Sequence, residues 1–198
     1  MTLLVAITGG IGSGKSTFSK EVLKRKLKLL DSDKQVNLIY SKPSKDFKNY
    51  LKKIGLGSAL LKNKINKKTI SEVIFFNKEI KKKLEKYIFE IIRKERSDFI
   101  KREKKLKTKI IFFDIPLLFE NNLGNSFDTV ISIISSKKER WKRLKKSKKI
   151  SKEVFQKIVK SQTKDTLRKA DSDIVIYNNK TMKNYLKNVN KVLDNIIS

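Results

Sequence analysis

Gly9-Gly10-Ile11-Gly12-Ser13-Gly14-Lys15-Ser16-Thr17 is the stretch that decides how this chain is read. Four residues separate Gly9 from Gly14, and Lys15 and Ser16 follow at once, which is the spacing of a phosphate-binding loop. Glycines let backbone N–H groups curl around a polyphosphate with no Cβ in the way. In such a loop Lys15 reaches the β- and γ-phosphates and the Ser16 hydroxyl can ligate Mg²⁺. A helix starting near Ser16 points the positive end of its dipole at the anion. The flanks agree. Leu3-Leu4-Val5-Ala6-Ile7 is a short apolar run, as in a strand buried on both faces, and Phe18, Val22 and Leu23 recur at helical spacing. The alternative, a flexible glycine-rich turn, requires neither flank.

The chain has 198 residues, which suits one domain, or one core with an inserted subdomain. It has no cysteine and no histidine. Disulfides, thiol nucleophiles, Cys/His zinc sites and imidazole bases are therefore excluded. Acid–base chemistry falls to carboxylates, lysines or hydroxyls. Residues 1–7 are too short for the apolar region of a signal peptide and read as the first strand. No apolar run approaches the length of a membrane span. A soluble, cytoplasmic protein with no membrane partner is expected, as a monomer or weak homo-oligomer.

Net charge is +29, from 49 basic and 20 acidic residues. Such an excess suits a nucleic-acid or membrane-surface binder. It also suits a compositional bias. Only seven of the basic residues are arginine, and the lysines are scattered over every predicted helix rather than gathered in one block. Solvated faces are the reading that fits, so no specific nucleic-acid partner is expected.

The rest of the chain alternates strands and helices. Residues 28–30 form a second short strand, ending at Asp31-Ser32-Asp33. Carboxylates at the carboxyl end of such a strand lie where open α/β sheets bind ligands. Asp33 is equally suited to cap a helix beginning at Lys34, and Asp31 to sit in a strand-end turn. Residues 41–107 read as a helical insertion, punctuated by Pro43, Gly55 and Gly57. Thr69-Ile70-Ser71-Glu72 has the capping-box pattern that opens a helix. From 78 to about 105 one long amphipathic helix is predicted, with Ile80, Leu84, Tyr87, Ile88, Ile91, Ile92 and Phe99 as its apolar stripe. Lys67 and Lys68 either meet a phosphate or are solvated.

Residues 109–113 return to a buried strand that ends on Asp114, like the acidic strand end that supports Mg²⁺ in phosphate-loop enzymes. Ile115-Pro116-Leu117-Leu118-Phe119-Glu120 then forms either a binding wall or ordinary packing. A strand spans 129–134. Ser136-Lys137-Lys138-Glu139 opens a helix carrying Arg140 and Arg143, and a second helix runs from about 151 to 162. Residues 138–165 are placed as a lid is placed over ATP phosphates, where arginine neutralises charge on the transferring phosphoryl group; the alternative is a solvated helix face. A last strand covers 173–177 and an amphipathic helix runs from 181 to about 197. At least five near-continuous apolar runs between helices argue for an α/β fold with a parallel sheet covered on both faces.

Taken together, these motifs resemble the dephospho-coenzyme A kinase family over nearly the whole chain. The resemblance rests on Thr8 to Thr17 with its paired glycines, on Asp31-Ser32-Asp33, and on Pro116-Leu117-Leu118-Phe119-Glu120, the most specific of the set. Arg143, Gln162, Arg168 and Ser172-Asp173-Ile174-Val175-Ile176-Tyr177-Asn178 complete it. It implies a P-loop kinase core with a five-stranded parallel sheet, formed by residues 1–40 and 108–198, with a helical substrate-binding insertion over 41–107 and the lid. It implies ATP-dependent phosphorylation of the ribose 3′-hydroxyl of dephospho-coenzyme A, the last step of coenzyme A synthesis. ATP would be held by Gly10, Ile11, Gly12, Ser13, Gly14, Lys15, Ser16 and Thr17, with Arg143 and Asn178, and Ser16 would hold Mg²⁺. Asp33 would deprotonate the hydroxyl, and Lys15 and Arg143 would neutralise phosphate charge. Lys67, Pro116, Leu117, Phe119 and Glu120 would join Asp33 in binding substrate.

The chain departs from the family pattern in three places. Phe89-Glu90 replaces a frequent His-Pro pair, Ser147 stands where a second lid arginine is common, and Ser172 replaces an alanine. Lysines beside Ser147 supply charge but not a planar fork. Two other readings use the same loop. A nucleotide kinase on this scaffold has no evident use for the Pro116 to Glu120 segment. A nucleic-acid-binding module with structural ATP sits badly with scattered lysines.

Overall fold

In the computed structural model, residues 1–62, 64–146 and 150–198 are described. Ser147 and the neighbouring Lys148 lie outside them. The chain forms two compact units, residues 1–31 with 103–198, and residues 32–102.

The first unit is built on a five-stranded parallel sheet of β1 (Leu3–Thr8), β2 (Lys28–Asp31), β5 (Ile110–Asp114), β6 (Thr129–Ile134) and β7 (Ile174–Tyr177), in the order β2-β5-β1-β6-β7. The near-continuous apolar runs of β1, β5 and β6 become the central strands because both sheet faces are covered there. Val5, Ile7, Phe112, Ile131, Ile133 and Ile176 pack on one face against Phe18 and Val22 of α1 (Lys15–Lys24) and Tyr185, Val189 and Leu193 of α9 (Met182–Ile197). Their neighbours Ala6, Ile111, Phe113 and Val130 are buried on the opposite side. There Ser132 Oγ accepts a 2.7 Å hydrogen bond from Ser172, which follows α8 (Asp165–Ala170). β1 is central, and the chain builds first on one side of it and then on the other. Its carboxyl end is therefore the switch point where such sheets place ligands. Register brings Ile7 opposite Asp114, and Thr8 opposite Ser132, at that edge.

After β6, α6 (Lys137–Lys146) opens with Ser136 Oγ accepting from the Glu139 N–H at 3.3 Å, one half of the expected capping box. It packs on α7 (Lys152–Ser161), which Ser151 caps, with Trp141 and Phe155 ring centroids 5.5 Å apart. The short α8 escapes a periodicity reading because six residues give under two turns.

The second unit holds α2 (Ser32–Ser41), α3 (Lys45–Lys53), a two-stranded hairpin of β3 (Leu60–Leu61) and β4 (Lys64–Ile65), α4 (Lys67–Phe76) and α5 (Lys78–Lys105), whose last residues return the chain to the first unit. Ile39, Phe47, Leu51, Leu56, Ala59, Ile70 and Leu84 form its core, with Ile80, Tyr87, Ile88, Ile91 and Ile92 of the expected stripe packed against it. The Tyr50 and Tyr87 rings stack with centroids 3.8 Å apart. Because Ile39 joins this core, α2 belongs here rather than with the sheet.

Two local expectations are corrected. α2 opens at Ser32, so Asp33 lies inside its first turn and is not the cap of a helix beginning at Lys34. α4 opens at Lys67, because the Asn66 side chain accepts from the Lys68 and Thr69 N–H groups at 3.0 and 3.3 Å; Thr69 is inside the helix. No helix among the described residues is long and apolar enough to cross a membrane.

Candidate active site

The glycine-rich loop joins β1 to α1 at the carboxyl edge of the sheet. Gly14 has φ +113°, a conformation side chains rarely adopt, and a Cβ there would come within 2.4 Å of Asn178 Nδ2. A Cβ on Gly10 would meet the buried Arg140 guanidinium at 1.9 Å. The loop is thus pressed against side chains on its outer side, with no room for a methyl group.

Four consecutive residues of the loop are each held through a backbone group by a side chain from elsewhere. The Ile11 N–H donates to Gln162 Oε1 at 3.0 Å. Arg143 Nη1 donates to the Gly12 carbonyl at 3.0 Å. Asn178 Nδ2 donates to the Ser13 carbonyl at 2.8 Å, and the Tyr185 hydroxyl to the Gly14 carbonyl at 3.0 Å. Arg143 also donates to Ser135 Oγ at 3.0 Å and to the Asn178 carbonyl at 2.5 Å. Burial pushes the Tyr185 phenol above its ordinary pKa, against the opposing pull of Arg143, so it stays a donor. With the carbonyls turned outward, the N–H groups of Gly12, Gly14, Lys15 and Ser16 meet no acceptor among the described residues. Four unshared donors at the start of a ten-residue helix suit an anion.

Lys15 Nζ pairs with Asp114, the last residue of β5, and Ser19 Oγ donates to the other Asp114 oxygen at 2.6 Å. Asp114 is 3% exposed. The acidic strand end is therefore a partner of the loop lysine. Ser16, one residue on, is exposed on the first turn of α1.

Beyond β5, Leu118 is fully buried while Leu117 is 42% exposed, so the apolar run serves both packing and surface. Glu120 turns inward. Its Oε1 accepts from the Thr163 N–H at 2.7 Å and from Arg168 Nη2 at 3.1 Å. Arg168 continues to Asp165, and Asp165 to Arg140 at 3.6 Å. Both arginines are almost wholly buried. Burial pulls the Arg140 guanidinium below its usual pKa, Asp165 works against that, and Arg168 adds to it.

In the second unit, Lys67 Nζ donates to Asn37 Oδ1 at 2.9 Å and lies 5.1 Å from the centre of the Tyr40 ring, an orientation that suits cation–π attraction. Asp33 stands on the first turn of α2, and Phe89 and Glu90 on α5. The structure thus groups residues 10–17, Arg143 and Asn178 in one unit, and carries Asp33 and Lys67 in the other. Sequence reasoning missed Tyr185, which reads as one more apolar position on an amphipathic helix, and gave Gln162 no task. Neither has a local signal, because their partners lie 171 and 151 residues away.

Comparison with known proteins bears directly on this arrangement. The profile of the family described as dephospho-CoA kinase matches residues 3–184. A dephospho-CoA kinase of Fusobacterium nucleatum is 36% identical over 196 residues, covering 98% of each chain. One from Streptococcus mutans is 33% identical over 187 residues, covering 93% of this chain and 92% of the relative. The solved structure of the Campylobacter jejuni dephospho-CoA kinase superposes with a TM-score of 0.76 at 27% identity, covering 99% of this chain and 98% of that one. A phosphate loop on a five-stranded parallel sheet is common to many kinases, but a match that runs from the first strand into the last helix is not, and the chain belongs to the dephospho-CoA kinase family, ATP-dependent phosphotransferases of the final step of coenzyme A biosynthesis.

Proposed function

We propose that the chain transfers the γ-phosphoryl group of ATP to the ribose 3′-hydroxyl of dephospho-coenzyme A through the residues named above. The observation that carries this reading is the loop itself. Its carbonyls are tied outward by Arg143, Asn178 and Tyr185, and its unshared N–H groups stand beside Lys15. Donors fixed in advance cost no reorganisation when charge develops, and phosphoryl transfer depends on such positioning.

In the step, the 3′-oxygen bonds to the γ-phosphorus. The bond from that phosphorus to the β–γ bridging oxygen breaks, and ADP leaves. The hydroxyl proton passes to a carboxylate, a role we assign to Asp33, since the chain has no histidine. Lys15 exchanges Asp114 for phosphate oxygens, a trade between two anionic partners. Ser16, exposed beside unshared N–H groups, fits one ligand position of Mg²⁺; when bound, the ion neutralises charge on the β- and γ-oxygens. Lys67 supplies a cation for the acceptor's phosphates, and α6–α7 serve as the lid. Leu117, with Pro116 and Phe119, gives the acceptor an apolar wall, and Glu120 braces that wall from inside.

ADP release from MgATP, compared across dephospho-coenzyme A, AMP, CMP and adenosine, tests the assignment. Strong turnover with dephospho-coenzyme A alone is expected. Turnover with a nucleotide and none with dephospho-coenzyme A would overturn the acceptor.

A further inference from the structure

We propose that Gln162 is a positioning residue of the phosphate loop, and that the buried ionic chain from Glu120 through Arg168 to Asp165 exists to hold it in place. The proposal rests on the kinase reading above for its functional consequence.

Of the four side chains that tie the loop, Gln162 is the one that takes an N–H; the others take carbonyls. It acts on Ile11, directly before Gly12, whose φ of +73° marks it as a point where the backbone turns. A peptide next to such a glycine rotates at little cost. Anchoring the Ile11 N–H removes that freedom on one side, and Arg143 removes it on the other through the Gly12 carbonyl. The two bonds together fix which way the loop faces.

Gln162 is itself fixed. It closes α7, where its own N–H donates to the Ile158 carbonyl at 3.1 Å. The next residue is gripped at both ends. The Thr163 N–H donates to Glu120 Oε1, and the Thr163 carbonyl accepts from Arg168. Arg168 is 1% exposed and pairs with both Glu120 and Asp165. Burying these charges is expensive and contributes little net stability, so a role in specifying one arrangement suits them. What they specify is the place where α7 ends, and with it the reach of the Gln162 amide. Glutamine is also the fitting residue type. A glutamate would accept the same hydrogen bond, but it would set a negative charge beside a loop that must receive a polyphosphate.

The test uses Gln162→Met, which keeps the length and removes the acceptor, and Gln162→Glu, which keeps the acceptor and adds charge. Gln162→Asn, too short to reach, serves as a second loss variant. Amide hydrogen exchange at Ile11 in the nucleotide-free enzyme reads the bond itself. Calorimetric titration with a non-hydrolysable ATP analogue and Mg²⁺ reads its consequence without any acceptor. Met and Asn are expected to speed Ile11 exchange and to weaken analogue binding about tenfold, the worth of one good hydrogen bond. Their KM for dephospho-coenzyme A should stay within about twofold of wild type, as expected of a fault confined to the loop rather than one that reaches the acceptor. Glu should keep wild-type protection at Ile11 while weakening the analogue. Unchanged exchange or unchanged affinity in Met and Asn would overturn the proposal, and so would a Glu variant as unprotected as Met. Wild-type enzyme inert towards dephospho-coenzyme A would sink the functional reading and leave these two readouts standing.

Discussion

Arg143→Ala removes a guanidinium that makes three hydrogen bonds, to the Gly12 carbonyl, to Ser135 Oγ and to the Asn178 carbonyl. A hydrogen bond from a charged donor contributes about 1.5–3 kcal/mol net. Three taken separately would sum to about 4.5–9 kcal/mol, but they share one side chain, and the site is only partly buried. Water can enter the vacated space and donate to the two carbonyls, so the loss should fall to about 2–3 kcal/mol. For a chain of 198 residues each kcal/mol moves the midpoint by about 2–4 °C, which gives a fall of about 4–12 °C. The catalytic loss should be larger than the stability loss. Freeing the Gly12 carbonyl lets the loop turn, and a misplacement of about 1 Å can cost about 10²-fold in rate. Thermal unfolding by circular dichroism, with kcat and both KM values on the same preparation, separates the two. Arg143→Lys retains the charge but not the fork, and should recover stability poorly. An Arg143→Ala enzyme with wild-type midpoint and wild-type kcat/KM for ATP would refute the reasoning, because it would mean that the loop keeps its shape unaided.

Lys15→Met should lower kcat by about 10²–10³-fold, and should also lower the unfolding midpoint, because the buried Asp114 carboxylate then loses its cationic partner and keeps the Ser19 hydroxyl; a variant with normal stability would show that the pair is not what holds Asp114. Asp33→Asn should cut kcat by about 10²–10⁴-fold while binding of the ATP analogue stays within about twofold, and wild-type turnover would remove it as the base. Burial lifts the Glu95 carboxyl above its ordinary pKa, and its buried Oε2 meets no hydrogen-bond donor among the described residues. The folded chain therefore binds that proton more tightly than the unfolded chain. The carboxyl costs nothing below the ordinary carboxylate range, and its cost appears as pH rises through the raised folded value. Glu95→Met should raise the midpoint at about pH 7 by more than at about pH 4, and an equal shift at both would assign the gain to packing instead.

Much of this architecture is legible in the residues. Leu3 to Ile7 and Ile110 to Phe113 are continuous apolar runs, and Thr129 to Ile134 a near-continuous one broken by Ser132, because each strand is covered on both faces, so burial writes itself into composition. The loop is legible for a different reason, since its chemistry demands glycines at fixed spacing. Short elements escape. The hairpin strands at Leu60–Leu61 and Lys64–Ile65 are two residues each, too brief for any alternation to appear. Caps are ambiguous too: the capping-box pattern at Thr69 points to a helix opening there, whereas the Asn66 side chain, three residues earlier, is the one that accepts from the Lys68 and Thr69 N–H groups. The ties on the loop are the least legible part. Arg143 and Asn178 are marked by the family pattern, but nothing in the sequence says that their targets are the loop's own carbonyls, 131 and 165 residues away.

The packing of α6 on α7 has a practical consequence. Trp141 is the single tryptophan of the chain, and its ring meets Phe155 across that pair of helices, one position from Arg140 and two from Arg143. Indole emission follows the polarity and contacts of its surroundings. The protein therefore carries a built-in optical probe on the segment proposed as the lid, and stopped-flow fluorescence on unlabelled enzyme reads whether the surroundings of Trp141 change when nucleotide binds, and whether before or after the chemical step.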